Sequence, residues 1–195
     1  MKLILIRHGQ TAWSREDKLT SHTDIPLTEQ GLVESSSVGV YLSRMPDVKH
    51  FSVFTSPSVR TRQTAAVARS LAPFEAVVCN DLKELDFGEY EGRKLVEIHE
   101  ENPKWNLWVD GCEGGESIST AMRRASSVLR KAFVSTQNIV VFTHGAFIRI
   151  LVAAALGDPA SCWGTRTIPT GSITQLVRRG QEWVLVEVGA FGNRD

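Results

Sequence analysis

Apolar residues fall into two patterns along the chain. Short continuous runs rich in Ile and Val, at residues 3–6 and 139–142, are typical of strands buried on both faces of a parallel sheet. Weaker runs of this kind lie at residues 51–55 and 76–79. Longer segments of helical character lie at residues 27–44, 57–71, 117–133 and 146–156. Because strands and helices alternate, the sequence predicts an α/β fold with a mostly parallel central sheet.

Turn-forming and capping residues indicate where these elements begin and end. Ser56 before Pro57 predicts a helix start, with Ser56 as the N-cap and Pro57 at the first helical position. Two apolar runs, at residues 172–177 and 183–188, flank a turn that contains Gly180 and predict a closing β-hairpin. Residues 81–92 have neither helical nor strand periodicity, and five of those twelve residues are acidic, which predicts a functional loop.

Length and charge limit the classes of function. The chain has 195 residues without a repeat, linker or low-complexity segment, so we expect one domain over residues 1–195. Its 22 Lys and Arg balance 22 Asp and Glu, for a formal net charge of zero. Nucleic acid and anionic membranes are therefore not expected as partners, and any anion must be bound by a local positive cluster. The oligomeric state stays open, with a homodimer among the alternatives.

Cysteine usage and the N-terminal residues predict a location. Cys79, Cys112 and Cys162 are widely spaced and form no Cys-x-x-Cys pair, which is typical of a reducing compartment. For Cys112, an inert thiol is favoured over a redox-sensitive one. Arg7 interrupts the first apolar run before it is long enough for a signal peptide or a membrane span. We therefore expect a cytoplasmic protein.

Two of the predicted strands end in the same dipeptide. His8-Gly9 follows the first strand, and His144-Gly145 follows the strand at residues 139–142. In an open parallel sheet the carboxyl ends of the strands form the ligand crevice, so both imidazoles would enter one pocket if these strands are neighbours. The helix predicted after Gly145 would add unpaired N–H groups and a partial positive charge.

Two arginines make this pocket a candidate phosphate site. Arg60 falls in or just beyond the first turn of the helix that is predicted to start at Ser56, where the helix dipole disfavours a cation by about 0.3–1 kcal/mol. A bound anion would explain a cation at that position. Arg7 lies beside His8 and supplies a second guanidinium, whose planar fork suits bidentate recognition of phosphate.

Histidine can also indicate a metal site, but the five histidines show neither His-x-x-x-His nor His-carboxylate spacing. No metal or other cofactor is therefore expected. Without a metal, a histidine can itself attack phosphorus and form a covalent phosphoenzyme. The acid that protonates the leaving oxygen would come from the acidic loop, where burial beside an anion raises the pKa of a carboxyl toward neutrality.

Four motifs, in this order, resemble the histidine phosphatase superfamily, the phosphoglycerate mutase-like group. They are Arg7-His8-Gly9-Gln10-Thr11, residues 56–65, residues 84–92 and Thr143-His144-Gly145. The resemblance implies a three-layer αβα sandwich and a small phosphorylated molecule as substrate. It implies that His8 is the phosphorylated nucleophile and that Glu84 is the proton donor. It further implies that the phosphoryl oxygens are held by Arg7, Arg60 and His144.

The same resemblance implies further substrate contacts. They are Gln10, Thr11, Ser14, Ser21 and the backbone of Gly145. Ser14 stands where many members of the family carry Asn, so either it replaces that phosphate contact or the contact is lost. Ser21 belongs to residues 20–24, which resemble the substrate-proximal loop of the family.

Hydrolysis, a cofactor-dependent mutase reaction and non-catalytic phosphate binding are the alternative functions. Mutases of the family usually carry an insertion after the Glu-Gly motif. Here Gly92 is followed directly by a short predicted helix at residues 94–101. The lack of the insertion favours a metal-independent phosphatase that acts on small monoesters such as sugar phosphates. Residues 105–117 are similar to the subgroup of fungal sedoheptulose-1,7-bisphosphatases and bacterial acid phosphatases. Trp105 and Trp108 are predicted to share a helix face, either in the core or as a lid wall. The presence of all five main site residues argues against a non-catalytic scaffold; they are Arg7, His8, Arg60, Glu84 and His144.

Overall fold

The computed structural model describes residues 1–159 and 167–191, which form one six-stranded sheet with helices around it. The strands are β1 (Lys2–Arg7), β2 (Ser52–Thr55), β3 (Ala76–Val78), β4 (Ile139–Thr143), β5 (Ile173–Arg179) and β6 (Glu182–Ala190). The α-helices are α1 (Ala12–Arg15), α2 (Glu29–Ser43), α3 (Val59–Arg69), α4 (Leu95–Glu101), α5 (Leu107–Asp110), α6 (Ile118–Phe133) and α7 (Gly145–Leu156). None of these helices is long and apolar enough to cross a membrane.

The strand order across the sheet is β3-β2-β4-β1-β5-β6. The strands β3, β2, β4 and β1 run parallel to one another, whereas β5 is antiparallel to β1 and β6 is antiparallel to β5. The predicted α/β fold with a mostly parallel sheet is confirmed, and so is the closing hairpin. The turn signal could not indicate that this hairpin extends the sheet beside β1, because that pairing joins residues far apart in the chain.

Helices cover both faces of the sheet. Leu3 and Leu5 of β1 belong to a buried apolar cluster that includes residues of α6 and α7. Ile4 and Ile6, which point to the other face, belong to a second cluster that includes residues of α2 and α3. All four side chains are fully buried. The continuous apolar run of β1 is therefore explained by burial on both faces, and the predicted three-layer arrangement is confirmed.

Helix α3 begins later than the sequence predicts. Its first residue is Val59 and its N-cap is Ser58, not Ser56, so that prediction was wrong. The hydroxyl of Ser56 is instead hydrogen-bonded to His144, at 2.9 Å. The amide of Val59 donates to the carboxylate of Asp24, at 2.8 Å. A side chain from a distant loop therefore supplies the cap, which local sequence cannot indicate.

The end of β1 and the start of α2 are in backbone contact. A Cβ atom at Gly9 would lie 2.3 Å from the carbonyl oxygen of Gly31, and one at Gly31 would lie 2.2 Å from the carbonyl oxygen of Gln10. Both distances are far below van der Waals contact. Only residues without a side chain allow this approach, which fixes the path of the chain as it leaves β1.

We expect Gly31→Ala to destabilise the protein by about 1–3 kcal/mol, because its methyl group would overlap backbone that cannot move without shifting β1. On an exposed helix the same change would stabilise by about 1 kcal/mol, so the sign of the effect is diagnostic. Urea unfolding monitored by circular dichroism measures it. Ser36→Ala, in the same helix, is the matched control and should change stability by less than about 0.5 kcal/mol. A stabilising Gly31→Ala would contradict the close approach.

Candidate active site

The two His-Gly dipeptides meet because β1 and β4 are neighbours in the sheet. Their register places Arg7 opposite Thr143, and the amide of His8 donates to the Thr143 carbonyl at 3.0 Å. The ring centroids of His8 and His144 are 5.3 Å apart. The expected proximity of the two imidazoles at the carboxyl edge of the sheet is confirmed, but their entry into one pocket is not, because His8 lines the cavity at this edge and His144 is not among its lining residues.

His8 is held in the form that a nucleophile needs. Its Nδ1 lies 2.8 Å from the carbonyl oxygen of Gly9. A carbonyl can only accept a hydrogen bond, so Nδ1 carries the proton and Nε2 keeps its electron pair. Burial, then the charges of Arg60 and Arg7, hold the pKa of His8 well below its usual range. The ring is therefore neutral at neutral pH.

His144 is fully buried behind this ring. Its Nε2 lies 2.9 Å from the hydroxyl oxygen of Ser56. Burial is the largest influence on its pKa, followed by the charges of Arg60, His8 and Arg7, and together they hold the pKa far below the usual value. Like His8, it is a neutral imidazole whose orientation is set by a single hydrogen bond from the protein.

Arg60 lies in the first turn of α3 and has no exposed surface. Its Nη1 donates to the carbonyl of Thr23 at 3.1 Å. Its Nη2 donates to the carbonyls of Ser21, at 3.0 Å, and Thr20, at 3.3 Å. Burial lowers the pKa of this guanidinium, and the charge of Glu84 opposes that effect. The loop at residues 20–24 therefore folds around a buried cation.

Three buried side-chain nitrogen atoms have no hydrogen-bond partner within residues 1–159 and 167–191. They are Nε of Arg7, Nε of Arg60 and Nδ1 of His144. The charges of Arg7 and Arg60 lower the pKa of His8, and the ring of His144 contacts the ring of His8. Unpaired buried polar atoms are costly and rare. An anion bound next to His8 would accept from the two guanidinium N–H groups, and from Nδ1 of His144 when that atom carries the proton.

Glu84 occupies the N-terminus of α7. Its carboxylate accepts from the amides of Leu85 at 2.9 Å, Phe147 at 2.8 Å and Ala146 at 3.1 Å. The α7 amides that the sequence predicted for an anion therefore bind this carboxylate instead, so that expectation was wrong for Ala146 and Phe147. Burial raises the pKa of Glu84, although its three backbone hydrogen bonds and the charge of Arg60 oppose the shift.

These groups border a cavity of about 200 Å³. Of the predicted residues, those that line it are Arg7, His8, Ser14, Glu84 and Gly145. Arg60 and His144 are fully buried and are not among its lining residues. The wall also contains Thr20, from the predicted substrate-proximal loop, and residues that sequence reasoning missed, among them Lys18 and Arg149. Arg149 follows Gly145 by four residues on the predicted helix, and this spacing could have indicated it.

The remaining predicted contacts have protein partners. Ser14 lines the cavity, but its hydroxyl accepts from the amide of Thr11 at 2.8 Å and so completes the capping box of α1. Thr11 is buried as the N-cap of that helix. The side-chain oxygen of Gln10 accepts from Thr28, at 2.9 Å. Ser21 is buried and donates to Glu91, at 3.1 Å. Contact of these four residues with substrate stays a prediction.

The two tryptophans have different environments. Trp105 is buried, stacks on Tyr90 with ring centroids 5.2 Å apart, and donates from its indole nitrogen to the Gly111 carbonyl at 2.9 Å. Trp108 lies in α5, lines the cavity, and carries the guanidinium of Arg149 at 4.2 Å from its ring centroid. Because α5 begins after Trp105, the prediction of a shared helix face was wrong.

A reactive thiol or a cluster of metal-binding side chains in the described part of the chain would indicate another kind of chemistry. Burial raises the pKa of Cys112 to about 12, so its thiolate is scarce and the expected inert thiol is supported. Cys79 is likewise a free thiol, and Cys162 lies outside the described residues. Among residues 1–159 and 167–191, no group of three or more His, Cys, Asp or Glu is arranged to hold a metal ion.

The sequence and the fold of this chain are similar to those of known phosphatases. The family model described as histidine phosphatase superfamily, branch 1, matches residues 3–190. An acid phosphatase of Mycobacterium tuberculosis is 33% identical over 174 residues, which are 88% of this chain and 84% of that protein. Sedoheptulose 1,7-bisphosphatase of Saccharomyces cerevisiae is 34% identical over 185 residues, covering 80% of this chain and 68% of that protein. The solved structure of the Mycobacterium tuberculosis open reading frame Rv3214 has a TM-score of 0.88 and 31% identity, covering 98% of each chain.

We expect Gly145→Ala to weaken binding of inorganic phosphate about tenfold, a loss of about 1.4 kcal/mol. The new Cβ would lie 3.2 Å from Nε of Arg7 and would displace that guanidinium. Isothermal titration calorimetry with phosphate measures the effect, and Ser126→Ala on the exposed face of α6 is the control. If the alanine acts through Arg7, adding it to Arg7→Lys should cause little further loss, whereas additive losses would contradict this explanation.

Proposed function

Because the chain belongs to the histidine phosphatase superfamily, we propose that it hydrolyses small phosphate monoesters through a phosphohistidine on His8, without a metal. The observation that carries this proposal is the set of three unpaired buried nitrogen atoms of Arg7, Arg60 and His144 around a neutral His8. Neutral imidazole is the nucleophile, and the unpaired donors are matched to the oxygens of a phosphoryl group. The relatives named acid phosphatase and sedoheptulose 1,7-bisphosphatase support a phosphate ester, such as a sugar phosphate, as substrate.

In the first step, Nε2 of His8 attacks phosphorus while the bond from phosphorus to the ester oxygen breaks. The Gly9 carbonyl stabilises the developing positive charge on the ring through the proton on Nδ1. Arg7, Arg60 and His144 hold the equatorial oxygens, and His144 can donate from Nδ1 when the Ser56 hydroxyl donates to its Nε2. Glu84 gives its proton to the leaving alkoxide.

In the second step, Glu84 is a carboxylate and acts as the base. It takes a proton from water, the water oxygen bonds to phosphorus, and the bond between phosphorus and Nε2 breaks. Phosphate leaves and His8 returns to its neutral form. The raised pKa of Glu84 suits both roles, because a carboxyl of ordinary pKa would hold too little proton at neutral pH to serve as an acid.

We also propose a cytoplasmic location. Both cysteines in the described ranges, Cys79 and Cys112, are free thiols, which supports a reducing compartment.

A trapped phosphoenzyme tests the nucleophile. After reaction with ³²P-labelled glycerol 3-phosphate and a quench in base, label should stay on the chain and should leave it in mild acid. His8→Ala should abolish the label and lower kcat more than about 10³-fold. His99→Ala, at an exposed histidine, should change neither. Activity that survives EDTA supports the metal-free mechanism, and full loss in EDTA would overturn it.

The same assay separates hydrolysis from mutase chemistry. With 3-phosphoglycerate and 2,3-bisphosphoglycerate, release of inorganic phosphate should exceed formation of 2-phosphoglycerate. The reverse ratio would identify the chain as a mutase. Absence of turnover on any phosphate ester, with phosphate binding retained, would identify a binding protein.

Glu84→Gln should slow hydrolysis of glycerol 3-phosphate by about 10²-fold or more and of p-nitrophenyl phosphate much less, because p-nitrophenolate leaves without a proton. In the wild type, the rate for the alkyl ester should fall as pH rises through the raised pKa of Glu84, where the acid is lost. This fall in the pH–rate profile should be absent in Glu84→Gln. The lowered pKa of His8 should keep the nucleophile neutral well below pH 6.5, the ordinary histidine value. Equal losses on both substrates would move the acid to another residue.

A further inference from the structure

The backbone that leads into Glu84 is held by a side chain from a distant helix. Arg124 lies on α6, forty positions after Glu84. Its Nη1 donates to the carbonyls of Lys83, at 2.7 Å, and Asp81, at 3.0 Å. Its Nη2 approaches the carbonyl of Glu84 itself, at 3.4 Å. Three carbonyls in a stretch of four residues, outside any strand, thus share one guanidinium.

The guanidinium is itself held in place by Glu116. Nε and Nη2 of Arg124 donate to the two carboxylate oxygens of Glu116, at 3.1 and 2.7 Å, in a bidentate pair. Both side chains are mostly buried, with 17% and 15% of their surface exposed. The amide of Glu116 donates to the Asp86 carbonyl at 2.9 Å. The pair therefore joins the residues on both sides of Glu84 to the start of α6.

The flat face of the same guanidinium contacts α7. Cζ of Arg124 lies 4.0 Å from the ring centroid of Phe147. The amide of Phe147 donates to Oε1 of Glu84 at 2.8 Å. Arg124 thus contacts the backbone that carries Glu84 and also the residue whose amide orients its carboxylate. Lysine could not replace it, because an ammonium has neither the planar fork nor the stacking face.

We propose that Arg124 is a positioning residue that fixes the carboxyl of Glu84 relative to α7, and so sets the efficiency of proton transfer to the leaving group. This inference rests on the proposed role of Glu84 as the acid. Arg124 is not among the residues that line the cavity, and its contacts with the site run through the backbone of residues 81–84 and the ring of Phe147. General acid catalysis depends steeply on the position of the donor, and its full contribution is typically 10²–10⁴-fold.

The test is a comparison of leaving groups. Arg124→Lys should lower kcat for glycerol 3-phosphate about tenfold and change kcat for p-nitrophenyl phosphate by less than about twofold. Arg123→Lys is the matched control, since Arg123 is the exposed neighbour that bonds Thr120, and it should leave both rates unchanged. A structural defect would lower both rates together. If Arg124→Lys fails to fold, Glu116→Ala, which removes the partner of the guanidinium, should shift the ratio in the same direction.

A double-mutant cycle decides the path of the effect. If Arg124 works through Glu84, then Arg124→Lys should cause no further loss for glycerol 3-phosphate in the Glu84→Gln background. A ratio that is unchanged in Arg124→Lys or Glu116→Ala, or full additivity in the cycle, would overturn the inference while leaving Glu84 as the acid. If Glu84→Gln itself shows no dependence on the leaving group, the proposed acid fails, and the inference fails with it.

Discussion

A guanidinium with no exposed surface is the constraint around which this site is built. Moving the charge of Arg60 out of water costs several kcal/mol unless the surrounding protein supplies acceptors. The carbonyls of residues 20–23 and the nearby charge of Glu84 fill that role. The loop takes its shape from the cation, and its Asp24 carboxylate in turn caps the helix that carries Arg60. The cation, the loop and the helix therefore depend on one another.

The acidic loop has separate structural and chemical roles. Glu91 accepts from the hydroxyl of Ser21 and from the amide of Thr23, at 3.1 and 2.8 Å. Although burial alone would raise the pKa of Glu91, its hydrogen bonds from Thr23, Ser21 and His22 lower it. It therefore stays ionised and anchors the loop that surrounds Arg60. Glu84, seven residues earlier, is more deeply buried and has the opposite shift, so the same loop supplies one permanent charge and one proton carrier.

The formal net charge of zero gives no indication of the charges that are concentrated at this site. Two guanidiniums, two neutral imidazoles and one buried carboxyl lie close enough to influence one another's pKa values, and the amides of Ala146 and Phe147 at the N-terminus of α7 donate to that carboxyl. Positive charge is therefore concentrated at this site although the chain as a whole carries a formal net charge of zero. The pKa of His8 is lowered and that of Glu84 is raised, and the proposed mechanism needs both shifts, because it requires a neutral nucleophile beside a protonated acid.

Local sequence determined the elements and most of the site. The runs before His8 and His144 are apolar on both faces, which predicts strands buried within a parallel sheet. Because each run ends in His-Gly, the sequence also predicted that the two imidazoles lie close together. The bounds of the predicted helices and strands lie within two residues of the observed ones, since periodicity and caps are local. The place of Arg60 in the first turn of a helix and that of Arg7 beside His8 indicated both arginines, whereas Glu84 was indicated by the resemblance to the family. The structure brings the three charges close enough to influence one another.

Tertiary structure decided the partners of Ser56, of the α7 amides and of Arg124. The hydroxyl of Ser56 is well placed for a cap by sequence, yet it bonds His144, because the β2 and β4 ends meet across the sheet. The α7 amides go to Glu84, and Arg124 reaches three carbonyls forty residues back in the chain. Hydrogen bonds between residues distant in sequence leave no periodic trace, so the sequence determined which groups the protein has, and the packing of the helices on the sheet determined which of them line the cavity.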